Sequence, residues 1–269
     1  MHMPANNQSL MSLLVGSSSN SSKKCVVIGS GGILNQHRLG PEIDTFYDVV
    51  IRINAAPVEG FEDRVGSKTH VRILSRKNFL LVPEPRTEFF KDSLMVFVLM
   101  VPSRDEPWLQ KEILDKNGML SRLKENVRIM NPKIVMEAWK WLKYDFKPST
   151  GLMAINYALH TCGLVDIAGF SYQCHHSAQL HYYETSTRTW DWTGWGTILS
   201  FHSYEAEGHL VKSMVKAGII GDITGATRGL IDLMRTSTRE SIALEGFDDT
   251  IFVRQVGQTP LSARVTPET

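Results

Sequence analysis

The chain has 269 residues, of which 42% are hydrophobic and 21% charged, with a formal net charge of +1. That length can bury the core of one large α/β domain or two small ones, and we expect one domain with tails. So even a charge balance gives no support to a polyanion-binding surface: neither nucleic acid nor an acidic membrane is an expected partner, and any bound anion must be held by a local site. No run reaches the roughly 18 uninterrupted apolar residues of a membrane span. The best N-terminal run, around Leu10 to Val15, is short and lacks a basic flank, so no signal peptide or anchor is legible. Three cysteines, Cys25, Cys162 and Cys174, fit either a reduced cytosol or one disulfide plus a spare thiol. Asn7 and Asn20 sit in Asn-x-Ser sequons, which matter only on the secretory path.

Residues 1–22 end in GSSSNSS, a polar run that reads as a flexible lead-in, and the domain is expected to start near Lys23. CVVIG is a β-branched run ending in glycines, LGPEIDTFYD a turn or helical connector, and VVIRIN a second buried strand. Further strands are expected at Val71 to Leu74, Ser93 to Val101 and Val127 to Met130. Between them the pattern predicts helices over Trp108 to Asn126 and Lys133 to Trp141, with Asn131 or Pro132 starting the second. In PSTGLMAINYALHTCGLVDIAGF, Ser149 or Thr150 caps a helix over Leu152 to His160, Gly163 stops it, and Leu164 to Ala168 is the next strand. EAEGHLVKSMVKAG is a last amphipathic helix, with Gly218 beyond its end. Strands alternating with helices predict a mainly parallel sheet covered on both faces. After Ile220 the pattern loosens.

GSGGIL follows the first strand, where doubly wound folds bring bare backbone to a phosphate. Dinucleotide binding would need a third glycine where Leu34 stands, and an acid where VVIRIN delivers Asn54. An amide at the carboxyl end of a strand can instead bind a ribose or phosphate without adding charge. PSTG adds two hydroxyls and free amides at a helix N-terminus. The two elements together suggest a mononucleotide, although each alone also serves as a structural turn or cap.

His175, His176 and His181 lie near Cys174, but their spacing matches no zinc pattern, and no metal is expected. No Asp-x-Asp pair occurs to clamp a sugar diphosphate through a divalent ion, so any sugar transfer here is expected to be metal-independent, with a nucleoside monophosphate leaving group. His202 lies just before the last helix, and Glu207 is placed to orient its imidazole as a general base. His181, in HYYE, is placed to donate to a phosphate. Trp190, Trp192 and Trp195 lie between the two histidines, and their flat faces suit sugar rings as well as a core.

These segments resemble the animal-type sialyltransferases, which carry four sialylmotifs in fixed order. Residues 25–73 are similar to the large motif, PSTGLMAINYALHTCGLVDIAGFSY to the small one, HYYE to the third, and His202-x4-Glu207 to the very small one. DVVIRINAAPVEGFEDRVGSKT, ALHTCGLVDIAGF and HYYE are most similar to the β-galactoside α-2,3 branch. The resemblance implies a single Rossmann-like α/β domain, mainly parallel and flanked by helices, of the variant sugar-transferase kind, over residues 23–224, with 225–269 an extension of unassigned role. It implies CMP-sialic acid as donor, galactose-terminated glycans on glycoproteins or glycolipids as acceptors, and inversion with no metal or resident cofactor.

By motif match His202 is the base and His181 the phosphate contact, with Glu207 completing the very small motif. Ser30, Gly31, Asn54, Ser149, Thr150 and Gly151 hold the donor. The acceptor side falls to Tyr182, Trp190, Trp192 and Trp195. Cys25 and Cys162 match the pair that bridges the large and small motifs, which implies an oxidising compartment and leaves Cys174 over. The family carries asparagine where this chain has Ser30, which shortens one donor contact. Its usual tail, membrane anchor and stem are missing from this sequence, so the expectation is a Golgi-lumenal activity on a truncated or secreted chain. Two alternatives stand beside this one: a non-catalytic CMP-sugar or glycan-binding relative, and a nicotinamide-dependent oxidoreductase.

Overall fold

The computed structural model describes residues 14–15, 20–80, 82, 90, 92–118, 120–170, 181–184 and 202–225. Runs rich in Val and Ile make the strands, because branched side chains pack well on a pleated surface. In chain order they are β1 Leu14–Val15, β2 Asn20–Ile28, β3 Val49–Ile53, β4 Val71–Ser75, β5 Leu94–Val98, β6 Val127–Met130, β7 Cys162–Ala168 and β8 Gly221–Asp222. The helices are α1 Gly40–Phe46, α2 Glu62–Val65, α3 Arg76–Leu80, α4 Pro102–Leu114, α5 Pro132–Trp141, α6 Thr150–Thr161 and α7 Tyr204–Lys216.

Among the described residues the strands join one sheet in the order β1-β6-β5-β4-β3-β2-β7-β8, and each neighbouring pair is parallel. The expected single Rossmann-like sheet flanked by helices is therefore what forms. Side-chain alternation along the strands splits the core. Cys25, Val27, Ile51, Ile53 and Ile73 pack toward Ile134, Leu152, Ile155 and Met214 of α5, α6 and α7. Val26, Ile28 and Val50 pack on the other face with Leu34 and Ile43. The chain lays β3 to β6 on one side of β2 and then returns to place β7 on the other. The crevice at the carboxyl ends of β2 and β7 is thus the topological switch point, where open α/β sheets bind ligands.

Several boundaries differ from the sequence expectation. β2 begins at Asn20 and β1 lies beside β6, so the ordered sheet starts ahead of Lys23. The helix expected over Trp108 to Asn126 is α4 followed by a separate 3-10 turn, Ser121–Asn126. Pro102 occupies the first turn of α4, and Asp105 accepts from the Val101 amide at 2.9 Å, so the helix starts ahead of the expected Trp108. Gly163 does not stop α6. Cys162 is already extended at φ −127° and ψ 153°, and strand pairing takes the chain straight into β7. A disulfide joins Cys25 to Cys162, with Cα atoms 6.1 Å apart. Among the described residues no helix is long and apolar enough to cross a membrane. Cys174, His175, His176, Trp190, Trp192, Trp195 and residues 226–269 lie outside the described residues.

Candidate active site

The glycine turn and the β7 exit are laced together where the strand order reverses. Gly29 N–H donates to Ala168 O at 2.7 Å, and Gly31 N–H to Gly169 O at 2.9 Å. Gly169 has φ +74°, and a Cβ there would stand 2.5 Å from Cδ1 of Leu34. Leu34 is fully buried. The residue that breaks the dinucleotide fingerprint is therefore a packing plug, accepted because Gly169 makes room for it. The turn then enters a 3-10 segment, Gly32–Gln36, instead of opening the long helix that a dinucleotide pyrophosphate needs. The oxidoreductase reading loses its site on both counts.

Asn54 follows β3 in a left-handed conformation, φ +50°, and its N–H donates to Ile73 O at 2.9 Å. Among the described residues its buried Oδ1 has no hydrogen-bond partner. β2 and β3 are parallel neighbours, so Ser30, Gly31 and Asn54 leave the sheet side by side.

His181 joins this group directly. It forms an antiparallel bridge with Gly31, and Tyr182 N–H donates to Ser30 O at 3.0 Å. His181 Nδ1 lies 2.7 Å from Glu184 Oε1, and the ring stacks on Tyr183 with centroids 5.1 Å apart. The carboxylate can only accept, so Nδ1–H donates and Nε2 faces away from the pair. Tyr182 is 2% exposed and its hydroxyl donates to Pro57 O. It is a buried strut, not the acceptor surface expected of it.

The second group is built on the start of α6. Ser149 is the N-cap, and its Oγ accepts from Leu152 N–H at 3.1 Å. Thr150 and Gly151 are the first helical residues, whose amides have no partner within the helix. Glu207 of α7 secures this end from 58 residues away: Oε1 accepts from Ser149 N–H and Oε2 from Ser149 Oγ–H, both at 2.6 Å. Burial pushes the Glu207 carboxyl up to about 7 against these two bonds.

Glu207 thus spends both oxygens on the cap, and the expected His202–Glu207 pairing is corrected. His202 Nδ1 lies 2.6 Å from the Lys147 carbonyl. A carbonyl can only accept, so Nδ1 carries the proton and Nε2 is left with a lone pair. Burial holds this imidazole below its ordinary value; the Lys147 carbonyl opposes that shift and the Lys147 ammonium adds to it.

Phe170 brings the two groups together. A Cβ on Gly151 would stand 2.9 Å from one ring carbon of Phe170, and a Cβ on Gly29 3.2 Å from the carbon across the ring. The glycine turn and the α6 N-terminus therefore close on opposite edges of one aromatic ring.

Arg52 and Arg72 are residues the sequence reading missed. They are register neighbours on β3 and β4, 1% and 3% exposed. Arg52 donates to the carbonyls of Val65, Gly66 and Lys68 and to Thr69 Oγ1. Burial lowers Arg52 to about 10 and Arg72 to about 9, with Arg52 adding to the second, so both remain cationic at neutral pH. The only signal in the sequence is an arginine in a strand run that has no polar alternation, VVIRI and VRILS.

The pattern of glycosyltransferase family 29 (sialyltransferase) matches residues 3–219. The chain belongs to this family. A family 29 enzyme of Mus musculus, the CMP-N-acetylneuraminate-beta-1,4-galactoside alpha-2,3-sialyltransferase, is 32% identical over 225 residues, 75% of this chain and 58% of that protein. The Homo sapiens CMP-N-acetylneuraminate-beta-galactosamide-alpha-2,3-sialyltransferase 4 is 34% identical over 224 residues, 75% of this chain and 64% of that protein. The chain therefore spans roughly six tenths of the length of these relatives. The crystal structure of a mammalian sialyltransferase shares the fold, with a TM-score of 0.62 over 82% of this chain and 78% of that one at 24% identity.

Proposed function

We propose that the chain transfers sialic acid from CMP-sialic acid to the 3-hydroxyl of a terminal galactose on glycoprotein or glycolipid glycans, with inversion and without a metal ion or resident cofactor. The observation that carries this reading is His202: its Nδ1–H is fixed on Lys147 O, two residues before the Ser149 cap of α6, which leaves the lone pair on Nε2, and among the described residues that nitrogen has no hydrogen-bond partner. In the proposed step Nε2 takes the proton of the galactose 3-hydroxyl as that oxygen bonds to the sialyl anomeric carbon. The bond from that carbon to the phosphate oxygen breaks, and CMP leaves with both electrons. The state between is oxocarbenium-like, so a base on one face and a stabilised leaving group on the other are what the step needs.

Asn54, the Ser30–Gly31 turn and the Ser149–Gly151 cap are the groups for CMP. His181, with Glu184 on Nδ1, is the imidazole for the departing phosphate. The Cys25–Cys162 bond supports a site of action in an oxidising compartment, in line with the Golgi lumen.

The test is transfer from CMP-sialic acid to galactose-terminated and N-acetylgalactosamine-terminated acceptors in excess EDTA, with linkage analysis of the product. The expected product is α-2,3-linked on galactose at an EDTA-independent rate. CMP binding without transfer would favour a non-catalytic relative, for which the shorter Ser30 side chain is the specific feature. Loss of rate in EDTA would overturn the metal-free step.

A further inference from the structure

Asn54 holds a left-handed backbone, which a residue with a Cβ adopts at a cost and keeps only when its surroundings over-determine it. The surroundings here are two buried side chains that gather the carbonyls of the turn. Arg72 Nη1 donates to Asn54 O at 2.8 Å and to Ala56 O at 3.0 Å. Tyr182 donates its hydroxyl to Pro57 O. Both side chains are at least 97% buried. A buried guanidinium is a costly way to hold a loop, because its desolvation must be offset by the bonds it makes. An apolar side chain would fill the same space at lower cost but could not hold two carbonyls in a fixed relation.

We propose that Arg72, with Tyr182 as its second strut, is a positioning residue that sets the Asn54 turn so that the unpartnered Oδ1 meets the donor nucleotide. Tyr182 extends the effect, since its own N–H is on Ser30 O and His181 precedes it. The turn bearing Asn54, the glycine turn and the phosphate-facing histidine are thereby locked in one register before any donor arrives. Preorganisation of this kind lowers the ordering cost of binding, so its loss falls on nucleotide affinity. The inference rests on the CMP-sialic acid reading of the same crevice.

The test measures CMP affinity by calorimetry, and kcat and KM for CMP-sialic acid, in the unmodified protein, Arg72→Lys, Tyr182→Phe, Asn54→Ala and the two double variants with Asn54→Ala. Lysine keeps the charge but lacks the fork that spans two carbonyls. Thermal melts and circular dichroism accompany each protein, and Tyr182→Phe removes one oxygen atom should Arg72→Lys fold poorly. The expected result is a five- to tenfold weaker Kd for CMP and a matching rise in KM in each single variant, with kcat changed less than threefold. In the Asn54→Ala background either change should add less than twofold. Equal losses with and without the Asn54 amide, or lowered melting with unchanged CMP affinity, would overturn the positioning role. Failure of the unmodified protein to bind CMP would instead overturn the donor reading beneath it.

Discussion

At the scale of single residues, the site separates two jobs that the sequence spacing assigned to one pair. His-x4-Glu reads as a base and its orienting carboxylate. Glu207 instead grips the Ser149 cap, and a backbone carbonyl orients His202. Neither partnership was legible, because one crosses 58 residues and the other 55, and spacing reports only neighbours on one element. His202→Ala should lower kcat by about 10² to 10⁴, the range of general-base contributions, with CMP affinity within twofold. Calorimetry beside a transfer assay checks both halves, and wild-type turnover in the variant would remove His202 from the base role.

Because His202 lies below the ordinary imidazole value, it stays neutral into mildly acid solution, and the acid limb of kcat/KM should fall below about pH 6.5. The stability signs of the two groups are opposite. His202, lowered on folding, contributes stability at neutral pH that fades as pH falls below its unfolded value. Glu207, raised to about 7, holds its proton in the folded state while the unfolded chain loses it, so its contribution fades as pH rises from about 4.5 to 7. Glu207→Gln should keep the Ser149 N–H bond, turn the Oγ contact into one donated by the amide, and flatten that slope in melts across this window. Glu207→Ala should cost about 2 kcal/mol by leaving the Ser149 donors unpaired. An unchanged slope in the glutamine variant would place the titration elsewhere.

At the scale of elements, the strands were legible and the helix ends were not. Val and Ile runs report burial on both sheet faces, and VVIRI, VRILS and VRIM all became strands close to where they were expected. Helix ends depend on partners brought by the fold. Gly163 has the residue type of a stop, yet the β2 edge captures the chain at Cys162 before that preference acts. Arg52 and Arg72 were overlooked for the same kind of reason: the carbonyls that receive them belong to turns up to 18 residues distant. The Leu34–Gly169 contact is the sharpest case, since a leucine that looks like a broken motif is matched by a glycine 135 positions later. Gly169→Ala should therefore cost more than the ~1–2 kcal/mol of a left-handed alanine, because its Cβ also meets Leu34. Denaturant unfolding measures this, and a loss under 1 kcal/mol would show that the plug has room to move.

At the scale of the whole molecule, one covalent bond spans 137 positions and joins the two strands at the switch point. Chain-entropy reasoning assigns such a loop about 5 kcal/mol. For a domain of this size that corresponds to about 10–20 °C in Tm. Melting with and without a phosphine reductant checks it, and coincident melts would mean that the noncovalent sheet suffices alone. The contacts made by Cys25 and Cys162 lie among the core residues under α5, α6 and α7. The candidate site residues gather instead at the strands' carboxyl ends, so reduction should lower the yield of folded protein more than the turnover of molecules that remain folded.

The placement of β7 beside β2 also bears on how the protein is made. Strands β3 to β6 can assemble against β2 as they leave the ribosome, but β2's other flank waits for Cys162–Ala168. At ordinary elongation rates that wait is on the order of ten seconds. Throughout it a row of bare amides and carbonyls on an apolar strand is open to any extended segment nearby, including the same strand of a neighbouring nascent chain. Polysomes crowded with this message are thus the setting in which its self-association is most dangerous, and slowing translation downstream of Ile28 would lengthen the exposure.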